Sequence, residues 1–363
     1  MKYTLLLMFI ILLFAYGLTY YFMHKKRRRD VRFYFLFLEL IFFISGYLLS
    51  QFTDVSITGS YSNYFKLFAL ILTTVIGFTT ALQFQYSHIK RIPPVFPLIL
   101  TIKIIILTGL FILFFIVTGH FSAALMPALI FFAGTSFTFV SFRHSRGMRR
   151  IIRLGILAPP IVLALYFLLS IAHIVQDGFI LMFALLLVCT AAIPYIMHLL
   201  DHLLDSDSVL IIMLSFLLIM IPFFANMSIT PLLPAFLCGI ILTNINHKSA
   251  NRFYKTFSKA EKPAFFLIMF IAGMHFSFSM RILLFASILV IIKLIANSIT
   301  GRLIDNSGTR GLLLSAVGGF ELIGILSLFF VNIISGYMLS IFIVFLIITQ
   351  IIQSGIIYGR IHN

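Results

Sequence analysis

Apolar positions in this chain run almost without interruption over lengths near twenty residues, and short polar breaks separate the runs. They lie at 3–23, 32–50, 63–85, 94–118, 121–142, 151–173, 177–200, 208–227, 229–245, 263–279, 281–303, 310–334 and 336–358. A helix needs about 20 such residues to cross roughly 30 Å of hydrocarbon. The runs are continuously apolar and lack the alternating ten-residue strands of a barrel wall, so helices are the expected spanning elements. The pattern predicts an all-α polytopic membrane protein of about 13 transmembrane helices, with residues 1–363 forming a single integral membrane domain.

Composition agrees with this reading: 61% of residues are hydrophobic, 10% are charged, and the mean hydropathy is +1.14, outside the range of soluble globular domains. The first run is read as a span, because its basic cluster, Lys25 to Arg29, follows the apolar stretch and no small-residue cleavage site is present. No soluble module is expected after the last span.

The formal charge of +16 changes the picture through its placement. Basic residues collect in alternate loops, at Lys25 to Arg32, Lys90 and Arg91, Arg143 to Arg153, Lys248 to Lys262, then Arg302, Arg310 and Arg360. The intervening loops are nearly bare, Arg281 excepted. The positive-inside rule then puts the N-terminus outside and the C-terminus in the cytoplasm, with an odd number of spans, in what is expected to be a bacterial plasma membrane. Anionic headgroups account for the basic loops, so the lipid bilayer is the expected partner and nucleic acid is not. Cys189 and Cys238 fall inside apolar runs and read as small core hydrophobes.

Runs 94–173 and 281–360 share a layout, because the middle member of each trio carries a polar, glycine-containing interruption. These are Ala133-Gly134-Thr135-Ser136 and Gly318-Gly319-Phe320-Glu321. The trios stand seven spans apart, an odd number, so the copies have opposite orientations. Paired interruptions of this kind point to an inverted-repeat transporter with two broken helices. The plainer alternative is that the glycines only let helices pack closely. Asn246 to Lys262 reads as a cytoplasmic connection along the membrane surface, with Pro263 placed for the first turn of the next helix.

Five local patterns, in order, resemble the membrane domain of the monovalent cation:proton antiporter superfamily, in particular its Kef-like and Na+/H+-exchanger branch. Glu39-Leu40-Ile41-Phe42-Phe43-Ile44-Ser45-Gly46 resembles the family's second span, and Gly77 to Arg91 its glycine-led stretch entering a basic loop. Leu233-Pro234-Ala235-Phe236-Leu237-Cys238-Gly239 through Thr243-Asn244 is similar to a third pattern. Glu261-Lys262-Pro263 followed by Phe270 to Met274 resembles a fourth, and Gly318-Gly319-Phe320-Glu321-Leu322 a fifth.

The resemblance implies a Na+/H+ antiporter-like fold: a scaffold that usually forms a homodimer (1–85 and 208–279), a transport core (94–173 and 281–360) and a connector helix (177–200). It also implies that a monovalent cation and a proton are the partners. At one place the chain departs from the family, which carries an acidic pair in its sixth span. Here the matching stretch reads Gly155 to Ile161 with Pro159 and Pro160 in the acidic positions. Proline has no group to exchange a proton, although it does free a backbone carbonyl one turn earlier.

Candidate chemistry then rests on few residues. Lys293 lies within the eleventh run, where a charge is costly and is by default a functional hypothesis. It reads either as a proton carrier or as a cation neutralising the negative end of a broken helix. Glu321 is the best remaining protonatable carboxylate: it senses protons, partners Lys293, or caps the broken helix. Thr135 and Ser136 offer hydroxyl oxygens at the first break, and Asn297 is placed one turn from Lys293 to share its network. Glu39 reads as packed against a neighbouring helix, and His120 and His275 as residues near span ends. His198 and His202, four apart, have the spacing of a shared metal or a pH sensor as well as that of ordinary interfacial histidines.

No cofactor, metal site or enzyme signature is expected. The expected function is exchange of Na+ or K+ against H+ through an altered ion site. The alternatives are a transport-inactive relative serving as scaffold, sensor or partner subunit, and a transporter of an anion or organic solute.

Overall fold

The computed structural model describes residues 31–52, 60–86, 90, 95–122, 125–134, 159–168, 180–200, 206–226, 229–305 and 319–361. Among these residues every regular element is a helix. In chain order they are α1 (Val31–Phe52), α2 (Ser60–Ala81), α3 (Val95–Val117), α4 (Met126–Ala133), α5 (Pro159–Leu168), α6 (Ile180–Leu200), α7 (Ser206–Asn226), α8 (Leu232–Ile245), α9 (His247–Met274), α10 (Met280–Asp305), α11 (Gly319–Phe330) and α12 (Gly336–Ile361). The first apolar run, 3–23, lies outside the described residues. By length and composition, the stretches Pro97–Val117 of α3 and Met280–Thr300 of α10 suffice to cross a membrane.

Two sets of helices pack internally. In the first, α9 lies along α1 and α2, and α8 packs on α2 and α6. In the second, α3 packs on α4 and α10, α10 on α12, and α11 on α4 and α12. Helix α11 also reaches α2 and α9, which joins the sets.

Glycines set the closest crossings in the first set. A Cβ on Gly46 of α1 would lie 2.0 Å from the Phe270 carbonyl oxygen, and one on Gly273 of α9 would lie 2.1 Å from that of Phe43. The two backbones therefore touch, and the Phe42 and Phe266 rings stack beside them at 5.1 Å. Gly239 of α8 is pressed in the same way against the Phe78 carbonyl of α2. The end of α2 is then tied to α8 by side chains: Thr243 Oγ1 donates to the Leu82 carbonyl at 3.1 Å, Asn244 Nδ2 to that of Phe84 at 3.3 Å, and Tyr86 N–H to Asn244 Oδ1 at 2.8 Å.

One expectation is corrected. Asn246 to Lys262 is not a connection ahead of a helix that starts at Pro263; α9 runs unbroken for 28 residues, with Pro263 in its interior. Its start is fixed by Asn246, whose side chain accepts from Ser249 N–H at 3.1 Å, as an N-cap does. Pro263 removes one helical rung, but packing holds the helix on both sides of it. Phe253 and Phe257 meet Phe78 of α2 edge-on before the proline, and Phe266 meets Phe42 of α1 after it.

Helices α3 and α10 present a reversed polarity. Ile105, Leu113, Ile291, Ile295 and Ile299 are each more than half exposed, while Lys103 and Lys293 on the same two helices are buried. That arrangement positions the site.

Candidate functional site between helices α4, α10 and α11

Helix α4 begins with Pro127 in its first turn and stops at Ala133, because Gly134 leaves the helix at φ −58° and ψ 160°. A helix that ends in the interior exposes carbonyls with no intrahelical donor, together with the negative end of its dipole. Both are met by a side chain 159 residues away along the chain: Lys293 Nζ donates to the Phe132 carbonyl at 2.9 Å and the Gly134 carbonyl at 2.6 Å. The lysine is fully buried, and its ammonium also faces the Phe345 ring at 5.2 Å from the centroid. The geometry is thus that of a cation capping the carboxyl end of α4.

Helix α11 arrives from the other side. Glu321, fully buried in its first turn, sits at the positive end of that helix. It lies against Gly134, where an added Cβ would come within 3.0 Å of both Glu321 Cγ and Oε1. A Cβ at 134 would press on the Glu321 side chain, which would have to give by a few tenths of an ångström. Helices α4 and α11 are locked further along by Phe131, whose ring fills the space over Gly324, 2.1 Å from where a Cβ would stand. Lys293 and Glu321 lie near enough for each to feel the other's charge.

No protein-family model matches the chain, and neither does any curated protein sequence. What the site can do therefore follows from its own residues.

Asn297, one helical turn beyond Lys293, is fully buried, and neither Nδ2 nor Oδ1 has a hydrogen-bond partner among the described residues. The Lys293 ammonium beside it is turned to the α4 carbonyls. Gly319 opens α11. Pro159 is buried and Pro160 half-buried at the first described residues of α5. Thr135, Ser136 and Gly318 lie outside the described residues. Glu39 of α1 hydrogen-bonds the Gln350 side chain of α12, which links the two helix sets at a second point. His198 Nδ1 meets Asn246 Nδ2 at 3.1 Å, and His202 lies outside the described residues. Among the described residues, no cluster of three or more His, Cys, Asp or Glu side chains could hold a metal ion.

Sequence reasoning missed Lys103. It lies on α3, 5% exposed, and its Nζ has no hydrogen-bond partner among the described residues. Its charge is felt at Lys293 and Glu321, so it belongs to the same constellation. The signal was present: Lys103 is a single charge inside the apolar run 94–118, the feature that singled out Lys293.

Proposed function

We propose that the chain is a polytopic secondary transporter of the monovalent cation:proton antiporter class, moving Na+ or K+ against H+ through an altered ion site. The observation that carries this reading is the convergence, deep among packed helices, of the α4 carboxyl end capped by Lys293 and the α11 amino end bearing Glu321. Ends of interrupted helices near a bilayer midplane supply backbone groups and dipole ends that bind ions. The outward isoleucines of α3 and α10 support a lipid setting, since soluble proteins rarely expose contiguous apolar faces of that size.

In this reading α3, α4, α5, α10, α11 and α12 form the moving core, while α1, α2, α7, α8 and α9 form the scaffold, with α6 as connector. Glu321 is the carboxylate that the cation approaches, since Pro159 and Pro160 offer no acid.

Purified protein in liposomes with an internal pH-sensitive dye tests the reading. Pulses of Na+ or K+ are expected to drive proton movement, and Glu321→Gln is expected to lower it at least about tenfold, the order for loss of an essential protonatable group. Absence of Na+, K+ and H+ flux at every pH would refute it.

A second reading has its own support. Both hydrogen bonds of Lys293 go to backbone carbonyls, as in a fixed structural strut, which suits a transport-inactive scaffold or partner subunit. Substitution of Lys293 would then weaken the fold and leave cellular ion tolerance unchanged at equal protein level.

A further inference from the structure

The three buried charges at the helix crossing are unequal in their surroundings. Lys293 has two carbonyl oxygens and an aromatic face, and Glu321 has the amino end of α11 and the space left by Gly134. Lys103 has a buried ammonium with no acceptor among the described residues and a second ammonium within electrostatic reach. The charged groups facing it from the elements packed on α3 are Lys293 of α10 and, beyond α4, Glu321 of α11; α4 itself carries none. With all three ionised the cluster holds two positive charges against one negative. A surplus charge is expensive in an apolar interior unless something neutralises it or it is lost as a proton.

We propose that Lys103 is the proton-carrying group of the site, charged while the site is empty and neutral while a monovalent cation sits beside Glu321. This rests on the exchange function proposed above and names the group that replaces the missing acidic pair. A cation and a protonated Lys103 are like charges competing for one carboxylate, so the arrival of one expels the other. In the exchange step an N–H bond of the ammonium breaks, the proton passes to water on the open side, and the lone pair stays on Nζ. One cation enters as one proton leaves, and the charge of the cluster is unchanged. Lys293 is less suited to the task because two of its three N–H groups are held by the α4 carbonyls, whereas no described residue accepts from Lys103.

The test uses the full chain in detergent and in liposomes, with Na+ and K+ as probes. For the wild type, the apparent cation Kd is expected to fall about tenfold per pH unit while Lys103 titrates, the slope that linkage requires for one proton released per cation bound. Lys103→Met is expected to bind the cation with less than about threefold change across the same range and to carry no coupled protons. Lys103→Arg, whose charge cannot be lost, is expected to fold and yet bind no cation.

A wild-type slope retained in Lys103→Met, or cation–proton exchange by Lys103→Arg, overturns the inference and leaves the antiporter reading standing. Wild-type protein with no cation binding and no flux overturns both. Chloride or nitrate flux that requires Lys103 while cation flux does not would make Lys103 an anion-binding residue and overturn the proton-carrier role.

Discussion

Gly273→Ala tests whether the first set of helices is held by backbone contact. The added Cβ would stand 2.1 Å from the Phe43 carbonyl oxygen, 3.0 Å from its carbon and 3.0 Å from Tyr47 N, all backbone atoms. None of them can swing aside as a side chain can, so α1 and α9 must part by more than an ångström. A radial gap of about 1 Å forfeits up to half of each contact's dispersion energy, and the Phe42–Phe266 stack lies within the affected crossing. Overpacking of this kind costs about 3 kcal/mol at the upper end of its usual range. Replacing glycine by alanine within a helix returns about 1 kcal/mol. The net loss of about 2 kcal/mol is roughly a thirtyfold fall in the ratio of folded to unfolded protein.

Thermal denaturation in detergent measures it, with Gly109→Ala as control, since no atom lies within 4 Å of a Cβ there and only the propensity gain remains. Gly46→Ala opens the same crossing from the other helix. The double variant should therefore lose less than the sum of the two singles, because one displacement relieves both clashes. Gly273→Ala as stable as wild type, or strict additivity with Gly46→Ala, would show that the backbones are not in contact.

Lys293→Met removes the donor to two buried carbonyls and is expected to cost about 3 kcal/mol, with a matching drop in the melting temperature in detergent. Lys293→Arg should not restore it, since the planar guanidinium does not fit a site shaped for a compact ammonium. Asn297→Leu exchanges an amide whose polar atoms are unmet for an apolar group of similar size. It is expected to raise stability by about 1 kcal/mol and to lower cation flux in liposomes; a destabilised variant would mean that the amide is engaged.

Much of the helix pattern was legible because apolar run length is a local property: 94–118, 281–303 and 336–358 agree with α3, α10 and α12 to within a few residues. The stop at Gly134 was legible too, since glycine followed by hydroxyl residues ends an apolar helix on local grounds. The contact between Gly134 and Glu321 was not, for residues 187 positions apart are brought together by packing alone, and spacing carries no trace of it. Pro263 misled for a related reason: a proline flanked by charge looks like a helix start, and only the phenylalanines on either side of it, docked on α1 and α2, carry the helix through. Lys103 was legible by the same signal as Lys293, a lone charge inside an apolar run; what its sequence position does not carry is its nearness to Lys293 and Glu321, which packing creates.

The unbroken course of α9 has a mechanical consequence. Twenty-eight residues at 1.5 Å each make a rod of about 42 Å, with Lys248, Arg252 and Lys255 near one end and the Gly273 rivet at the other. The rod is fastened near its basic end as well, where Phe253 and Phe257 meet Phe78 of α2, so it is a strut and not a lever. Force applied at either end of such a strut is carried into α1 and α2 together, so the three helices move as one body.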